Sequence, residues 1–191
     1  MILGITGGTG CGKTTLLNLV REQGGIVLDC DHIYHDLLKN NTAMLQAIEN
    51  RFPGTVNDGV LDRKALGAIV FADEAALQDL NRITHAAVKE VVLEQLSSMP
   101  ALVAIDAIGL FEGELAPLCD VTVAVTAPKD LRVQRLMARD GISEEYARMR
   151  IAAQHDNDWF REQCDHTLEN DSTQEAFQGK CLAFFRHLGI I

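Results

Sequence analysis

Gly7-Gly8-Thr9-Gly10-Cys11-Gly12-Lys13-Thr14 satisfies the spacing G-x-x-x-x-G-K-(S/T) at every required position. Glycines let a backbone turn tightly and present its N–H groups to an anion. A helix beginning at the end of the turn adds partial positive charge. The Lys13 ammonium can then reach the β- and γ-phosphates of a nucleoside triphosphate, while the Thr14 hydroxyl can ligate Mg²⁺. A nucleoside triphosphate is the expected ligand, held by Gly8, Thr9, Gly10, Cys11, Gly12, Lys13, Thr14 and Thr15. A dinucleotide fingerprint starting at Gly8-x-Gly10 needs its third glycine at position 13, where Lys13 stands.

Other side chains could act on the phosphate once it is bound. Asp29-Cys30-Asp31 ends the second apolar run, and alternate residues of an extended segment point the same way. Both carboxylates can therefore share a face, to take a proton from an attacking hydroxyl or to hold Mg²⁺ through water. The bland alternative is that they cap the next helix. Asp106 ends another apolar strand, Leu102–Ile105, either as a metal-holding aspartate or as a plain strand terminator. His32 and His35 flank these acids, yet their setting reads as a solvated helix face rather than a transition-metal site. Arg132, Arg135 and Arg139 share one helix face, followed by Arg148, Arg150 and Arg161. Guanidinium forks suit triphosphate oxygens, and an arginine-bearing lid closing over ATP excludes water from the transfer. Arg139 is the foremost candidate of the set. Cys11 lies beside Lys13 near a helix start, a setting that lowers a thiol pKa, so it reads either as a reactive thiol protected by nucleotide or, with at least equal weight, as an inert packed thiol.

The elements needed to position these groups are legible as alternating strands and helices, the pattern of a parallel sheet with crossover helices. Strands are expected at Met1–Thr6, Ile26–Asp29, Ala101–Asp106 and Val121–Thr126, with a weaker fifth at His166–Glu169. Helices are expected at Lys13–Glu22, Ile33–Lys39, Ala43–Phe52, Arg63–Phe71, Asp73 to about Ser97, and Asp130–Arg139. Ser172-x-x-Glu175 reads as a capping box for a last helix lined by Phe177, Cys181, Phe184 and Leu188. The roughly seventy residues between the second and third strands contain no strand-like run and read as a helical insertion.

Length and charge narrow the function. The chain has 191 residues, and its 17 basic and 27 acidic side chains give a net charge of −10. Such a chain suits one domain with a sizeable core and lacks the basic surface that nucleic acid or an anionic membrane requires. Five cysteines without a C-x-x-C pair support neither a disulfide framework nor a structural zinc. No basic-then-apolar leader and no apolar run of roughly 18 residues is present, so a cytoplasmic setting is expected.

Taken in order, these segments resemble the dephospho-coenzyme A kinases from about Ile2 to Asn170. The opening TGGTGCGKTT is similar to the family's loop, and VLDCD is similar to its D-x-D element. NDGVLDRKALGAIVF followed by LNRITH resembles its substrate-region pattern, IDAIGLFE its D-I-P-L-L-F-E segment, and QRLMARDGISEEYARMRIAAQ its lid helices. The resemblance implies ATP-dependent phosphorylation of the ribose 3′-hydroxyl of dephospho-CoA. It implies Asp31 as catalytic base, Lys13 and the loop amides on ATP, Arg139 in the lid, and Asn170 near adenine. Arg63, His85 and Asp106, with Asp31, fall on its substrate-binding positions, and Asp29 or Asp106 would reach Mg²⁺ through water.

The fold expected is α/β: a phosphate-loop kinase-like parallel sheet of about five strands flanked by helices. Its core covers about 1–31, 100–138 and 163–191, with the substrate-binding insertion at about 32–99 and the lid at about 139–162. The expected assembly is a monomer or small homo-oligomer. His35, Ala86 and Ile108-Gly109 depart from the family pattern, so another nucleoside- or sugar-type alcohol is the alternative acceptor. A nucleotide-dependent switch is the reading from another class, but the N-K-x-D guanine-reading element of common switches is absent.

Overall fold

The computed structural model describes residues 1–98 and 101–191, so the expected core–insertion boundary at 99–100 lies outside the described residues. In chain order the elements are β1 (Ile2–Thr6), α1 (Lys13–Glu22), β2 (Ile26–Asp29), α2 (Cys30–Asn40), α3 (Thr42–Arg51), β3 (Val56–Asn57), β4 (Val60–Leu61), α4 (Arg63–Val70) and α5 (Glu74–Leu96). They continue with β5 (Val103–Asp106), β6 (Val121–Thr126), α6 (Lys129–Asp140), α7 (Glu144–Ala152), α8 (Asn157–Gln163), β7 (His166–Glu169) and α9 (Gln174–His187).

Five strands form one sheet in the order β2-β5-β1-β6-β7. β1 pairs in parallel with β5 on one side and β6 on the other, and β6 pairs in parallel with β7. Parallel strands need crossover connections, and strands covered by helices read as continuous apolar runs. Leu3 and Ile5 of β1, Val123 and Val125 of β6, Leu16 and Val20 of α1, and Phe177 and Phe185 of α9 build one cluster. A smaller cluster of Val133, Leu136, Ala147 and Ile151 joins α6 to α7.

By contact the chain divides into two compact units. One holds Met1–Leu28, the segment through β5 to Phe111, and Leu115–Ile191, and it contains the sheet strands' core. The other comprises Asp29–Ser98 with Glu112–Glu114, and is built from α2 to α5 around Leu38, Leu45, Ile48, Leu66, Leu80 and Val88.

Three details differ from the sequence-based expectation. The stretch between the second and third sheet strands contains a short antiparallel pair, β3–β4, with Val56 opposite Leu61. Two-residue strands around Asp58-Gly59 are too short to show a period, and both turn residues adopt positive φ. Extended backbone stops at Asp29, because its side chain accepts from His32 N at 2.9 Å and starts α2 at Cys30. Asp31 therefore sits on the first turn of a helix, and the alternation argument that paired it with Asp29 fails. Lastly, α9 is capped by Thr173, which accepts from Ala176 N at 3.2 Å, rather than by Ser172. The cap has moved one residue, so Glu175 no longer occupies the third helical position that a reciprocal box requires.

This last shift is testable. Thr173→Ala should cost about 1 kcal/mol of stability in urea denaturation, whereas Ser172→Ala should be close to neutral. The reverse order would restore Ser172 as the cap.

Candidate active site

β1 runs between β5 and β6, so the chain leaves the sheet at its carboxyl end, where open α/β sheets receive ligands. Backbone φ is positive at Gly7 (134°), Gly10 (79°) and Gly12 (94°), conformations that only glycine adopts without strain. Gly12 is the N-cap of α1 and brings no capping side chain. By contrast α2, α3, α4, α5, α7, α8 and α9 each start under an Asp, Asn, Ser or Thr side chain. Thr15 N donates to Gly12 O at 3.3 Å, and no capping side chain competes for the N–H groups of Lys13 and Thr14, which can turn to an acceptor from outside the helix.

The outer side of the loop is held from three directions. Arg132 Nε donates to Thr9 O at 2.8 Å, Arg135 Nη1 to Gly10 O at 3.4 Å and Cys11 O at 3.3 Å, and Asn170 Nδ2 to Cys11 O at 2.9 Å. In a trans peptide the N–H points opposite to the carbonyl, so fixing these oxygens outward turns the N–H groups of Gly10 and Gly12 the other way. Asn170 is itself placed by strand register: Thr126 pairs with Glu169, and Asn170 N donates to Thr126 O at 2.8 Å. Arg135 Nη2 completes the cluster on Asn170 Oδ1 at 3.0 Å.

Register likewise places the lysine's partner. Ile5 pairs with Asp106, so this carboxylate stands at the strand end next to the loop, with its Oδ1 3.8 Å from Lys13 Nζ. Lys13 also donates to Gly7 O at 3.0 Å, folding back over the loop it belongs to. Beside α1 opens a hollow of about 370 Å³ lined by Gly12, Thr15, Asn18, Arg135, Asn170 and Phe177, among others. Its mix of polar groups and one aromatic ring suits a purine. Thr14 also lines it, at the start of α1.

The other sequence candidates sit on other elements. Asp29 is engaged as the cap of α2, and Asp31 is exposed on that helix's first turn. Arg63 is the exposed first residue of α4 and electrostatically offsets part of the burial that raises the Tyr34 phenol. His85 Nδ1 lies 3.1 Å from Glu112 O, so the ring nitrogen there is the donor, since a carbonyl can only accept. Arg139 is exposed at the end of α6 and forms two hydrogen bonds to Asp140, at 2.6 and 3.0 Å. Asp140 also accepts from Arg150 at 2.7 Å, and the bond to Arg139 leads the causes that hold its carboxyl down to about 2. The arginine singled out from the sequence thus touches Asp140, while Arg132 and Arg135 touch the loop.

Of the two readings of Cys11, the structure supports the packed thiol. The thiol is 1% exposed and belongs to the core cluster. Burial pushes it up, and the charges of Lys13 and Arg132 offset this only in part. It is a packed thiol under Gly7, since a Cβ there would come 3.1 Å from its sulfur. No disulfide joins the described cysteines. Among the described residues no group of three or more His, Cys, Asp or Glu side chains could hold a metal, and no helix is long and apolar enough to cross a membrane. Gln154 escaped the sequence reading: its Oε1 accepts from Thr9 N at 2.8 Å, across 145 residues. Nothing in local spacing announces a bond of that separation.

A family profile described as dephospho-CoA kinase matches residues 1–176. A dephospho-CoA kinase of Anaeromyxobacter dehalogenans is 39% identical over 185 residues, covering 94% of this chain and 88% of that one. Among solved structures, a Thermus thermophilus protein superposes with a TM-score of 0.81 at 34% identity, covering 98% and 97% of the two chains. The Campylobacter jejuni dephospho-CoA kinase gives 0.67 at 26% identity, covering 98% and 96%.

Two measurements check the loop. Asn170→Ala removes one tether from Cys11 O and should weaken ATP about tenfold by calorimetry, the size of one or two lost hydrogen bonds. Unchanged affinity would show that the arginines suffice. Iodoacetamide at pH 8 should leave Cys11 unlabelled in the folded apo protein and label it in urea, as read by peptide mass. Rapid labelling that ATP suppresses would reinstate a reactive thiol.

Proposed function

The chain belongs to the dephospho-CoA kinase family, and from that we infer that it phosphorylates the ribose 3′-hydroxyl of dephospho-CoA with ATP, giving coenzyme A and ADP. It is a phosphotransferase of coenzyme A biosynthesis with a small-molecule substrate. The observation that carries the donor half is the uncapped start of α1 under a loop whose carbonyls are tied outward. A phosphate chain supplies the acceptor that no capping side chain provides there.

Residue roles follow from chemistry. Gly8 to Thr15 form the triphosphate cradle, through those backbone N–H groups that no protein oxygen already takes and through hydroxyls, with adenine in the hollow beside Asn170 and Arg135. Lys13 leaves Gly7 O for the phosphate oxygens, where its charge offsets that developing on transfer. Thr14 Oγ1 and Asp106 are the groups suited to Mg²⁺, with Asp29 as a further carboxylate acting through water. The few protein ligands fit a cation that keeps much of its coordination for water and phosphate. When bound, Mg²⁺ neutralises phosphate charge.

Asp31 takes the proton of the acceptor hydroxyl as that oxygen bonds to the γ-phosphorus. The bond from phosphorus to the β–γ bridging oxygen breaks, and ADP leaves. An exposed carboxylate on a first helical turn is open to an incoming hydroxyl and can act so. Arg63 and His85 are assigned to acceptor contacts within residues 32–99. Residues 139–162 are assigned to a lid in which Arg139 exchanges Asp140 for nucleotide. A reaction that draws on ATP suits a cytoplasmic setting.

Coupled ADP release with ATP–Mg²⁺ tests the reading. Dephospho-CoA should give turnover, while adenosine and shikimate should not. Turnover of another alcohol with none for dephospho-CoA would overturn the acceptor. Asp31→Asn should lower kcat by about 10²- to 10⁴-fold while leaving ATP affinity within about twofold. Lost ATP binding with preserved turnover per bound nucleotide would give Asp31 a different role.

A further inference from the structure

Arg132 is the only charged side chain among the described residues that is fully buried, at 3% exposure. Its partners are neutral oxygens: Thr9 O at 2.8 Å and Gln154 Oε1 at 3.3 Å. Every ion pair recorded among the described residues involves some other cation, although the chain carries an acidic surplus. A guanidinium removed from water is costly unless an anion compensates it. Neutral carbonyl dipoles offset part of that cost and leave the charge itself unmatched.

Its position says which anion is missing. A Cβ added to Gly8 would overlap the guanidinium, so the arginine lies directly against the phosphate loop. The Arg132 carbonyl would come 2.9 Å from a Cβ on Gly10, so α6 backbone is seated there as well. Gln154 Oε1 accepts from both Arg132 and Thr9 N, so both polar backbone groups of Thr9 are fixed by this arginine and its partner. A rigidly placed cation behind a loop that presents N–H groups to an anion raises the potential in front of it.

We propose that Arg132 is a positioning residue and buried countercharge for the phosphates of the nucleotide, acting through the loop it braces rather than by touching them. The cost of its burial is carried by the empty protein and is recovered when phosphate arrives in the same water-poor region. Burial also lowers the guanidinium pKa from its ordinary value, as expected for a cation without a carboxylate. The inference deepens the kinase reading on its donor side only, and its test contains no acceptor. Failure of dephospho-CoA as substrate would therefore leave it standing.

The test compares ATP, ADP and adenosine affinities by calorimetry, with the melting temperature of the empty protein, for Arg132→Met, Arg132→Gln and Arg132→Lys. Arg132→Met should leave the empty protein at least as stable as wild type and weaken ATP about tenfold or more. Adenosine should change by less than about twofold. Arg132→Gln can still donate to Thr9 O but carries no charge, and should lose ATP affinity in the same way. Arg132→Lys should recover most of it. A purely structural brace would instead lower the empty protein's melting temperature and weaken adenosine and ATP equally. That outcome overturns the proposal. So does wild-type ATP preference in Arg132→Gln, which decides the matter alone if Arg132→Met does not fold.

Discussion

The outward fixing of three successive carbonyls, those of Thr9, Gly10 and Cys11, is the constraint on which the rest of the site depends. A glycine-rich segment has many conformations of similar energy, and most of them do not gather N–H groups on one side. Selecting one requires partners on the opposite side, at fixed positions. Those partners come from α6 and from the residue after β7, so strands and helices more than a hundred residues downstream set the shape of a loop near the start. The sheet serves this directly: one register puts Asp106 beside Ile5, and another puts Asn170 one step beyond Thr126.

This arrangement accepts local costs for the sake of binding. Helix α1 begins without a capping side chain, where such a cap elsewhere contributes about 1 kcal/mol. Lys13 folds onto the carbonyl of Gly7, and Arg132 is buried without a carboxylate. The stability that tolerates these losses comes from the apolar layer beneath: Leu3, Ile5, Leu16, Val20, Phe177 and Phe185, all at most 1% exposed. A burial of about 1.5–3 kcal/mol for each large apolar side chain is ample against a few local deficits of order 1 kcal/mol.

The five sheet strands and the phosphate loop were legible because each is written in contiguous residues with one period or one spacing. What escaped was either too short or too distant. The two-residue strands β3 and β4 carry no period. Asp29 and Thr173 show that competition for a helix start is decided by which neighbouring oxygen reaches the third amide, and a one-residue difference changes a carboxylate's role. The Gln154–Thr9 bond has no signature in either neighbourhood. Cys11 stayed open between two readings because proximity to Lys13 is visible in sequence, while burial of its sulfur under Gly7 is a property of the folded loop. Desolvation then outweighs the nearby charge.

The arginines fall into two physical classes, which reconciles phosphate binding with an acidic chain. Among the described residues no carboxylate pairs with Arg132 or Arg135, and both are fixed to loop carbonyls. Arg139, Arg148, Arg150 and Arg161 are held by Asp140, Glu144 with Asp130, Asp140 again, and Asp158 with Glu169. Residues 129–161 hold seven basic and six acidic side chains, so the local balance is +1 although the chain stands at −10. An arginine paired to a carboxylate can meet a phosphate only by exchanging one anion for another, which leaves a small net gain and an easy return. A fixed arginine beneath the loop has no such alternative and favours the phosphate throughout. On the proposed reading, permanent attraction at the loop with exchangeable attraction around it would hold a nucleotide firmly and still release its product.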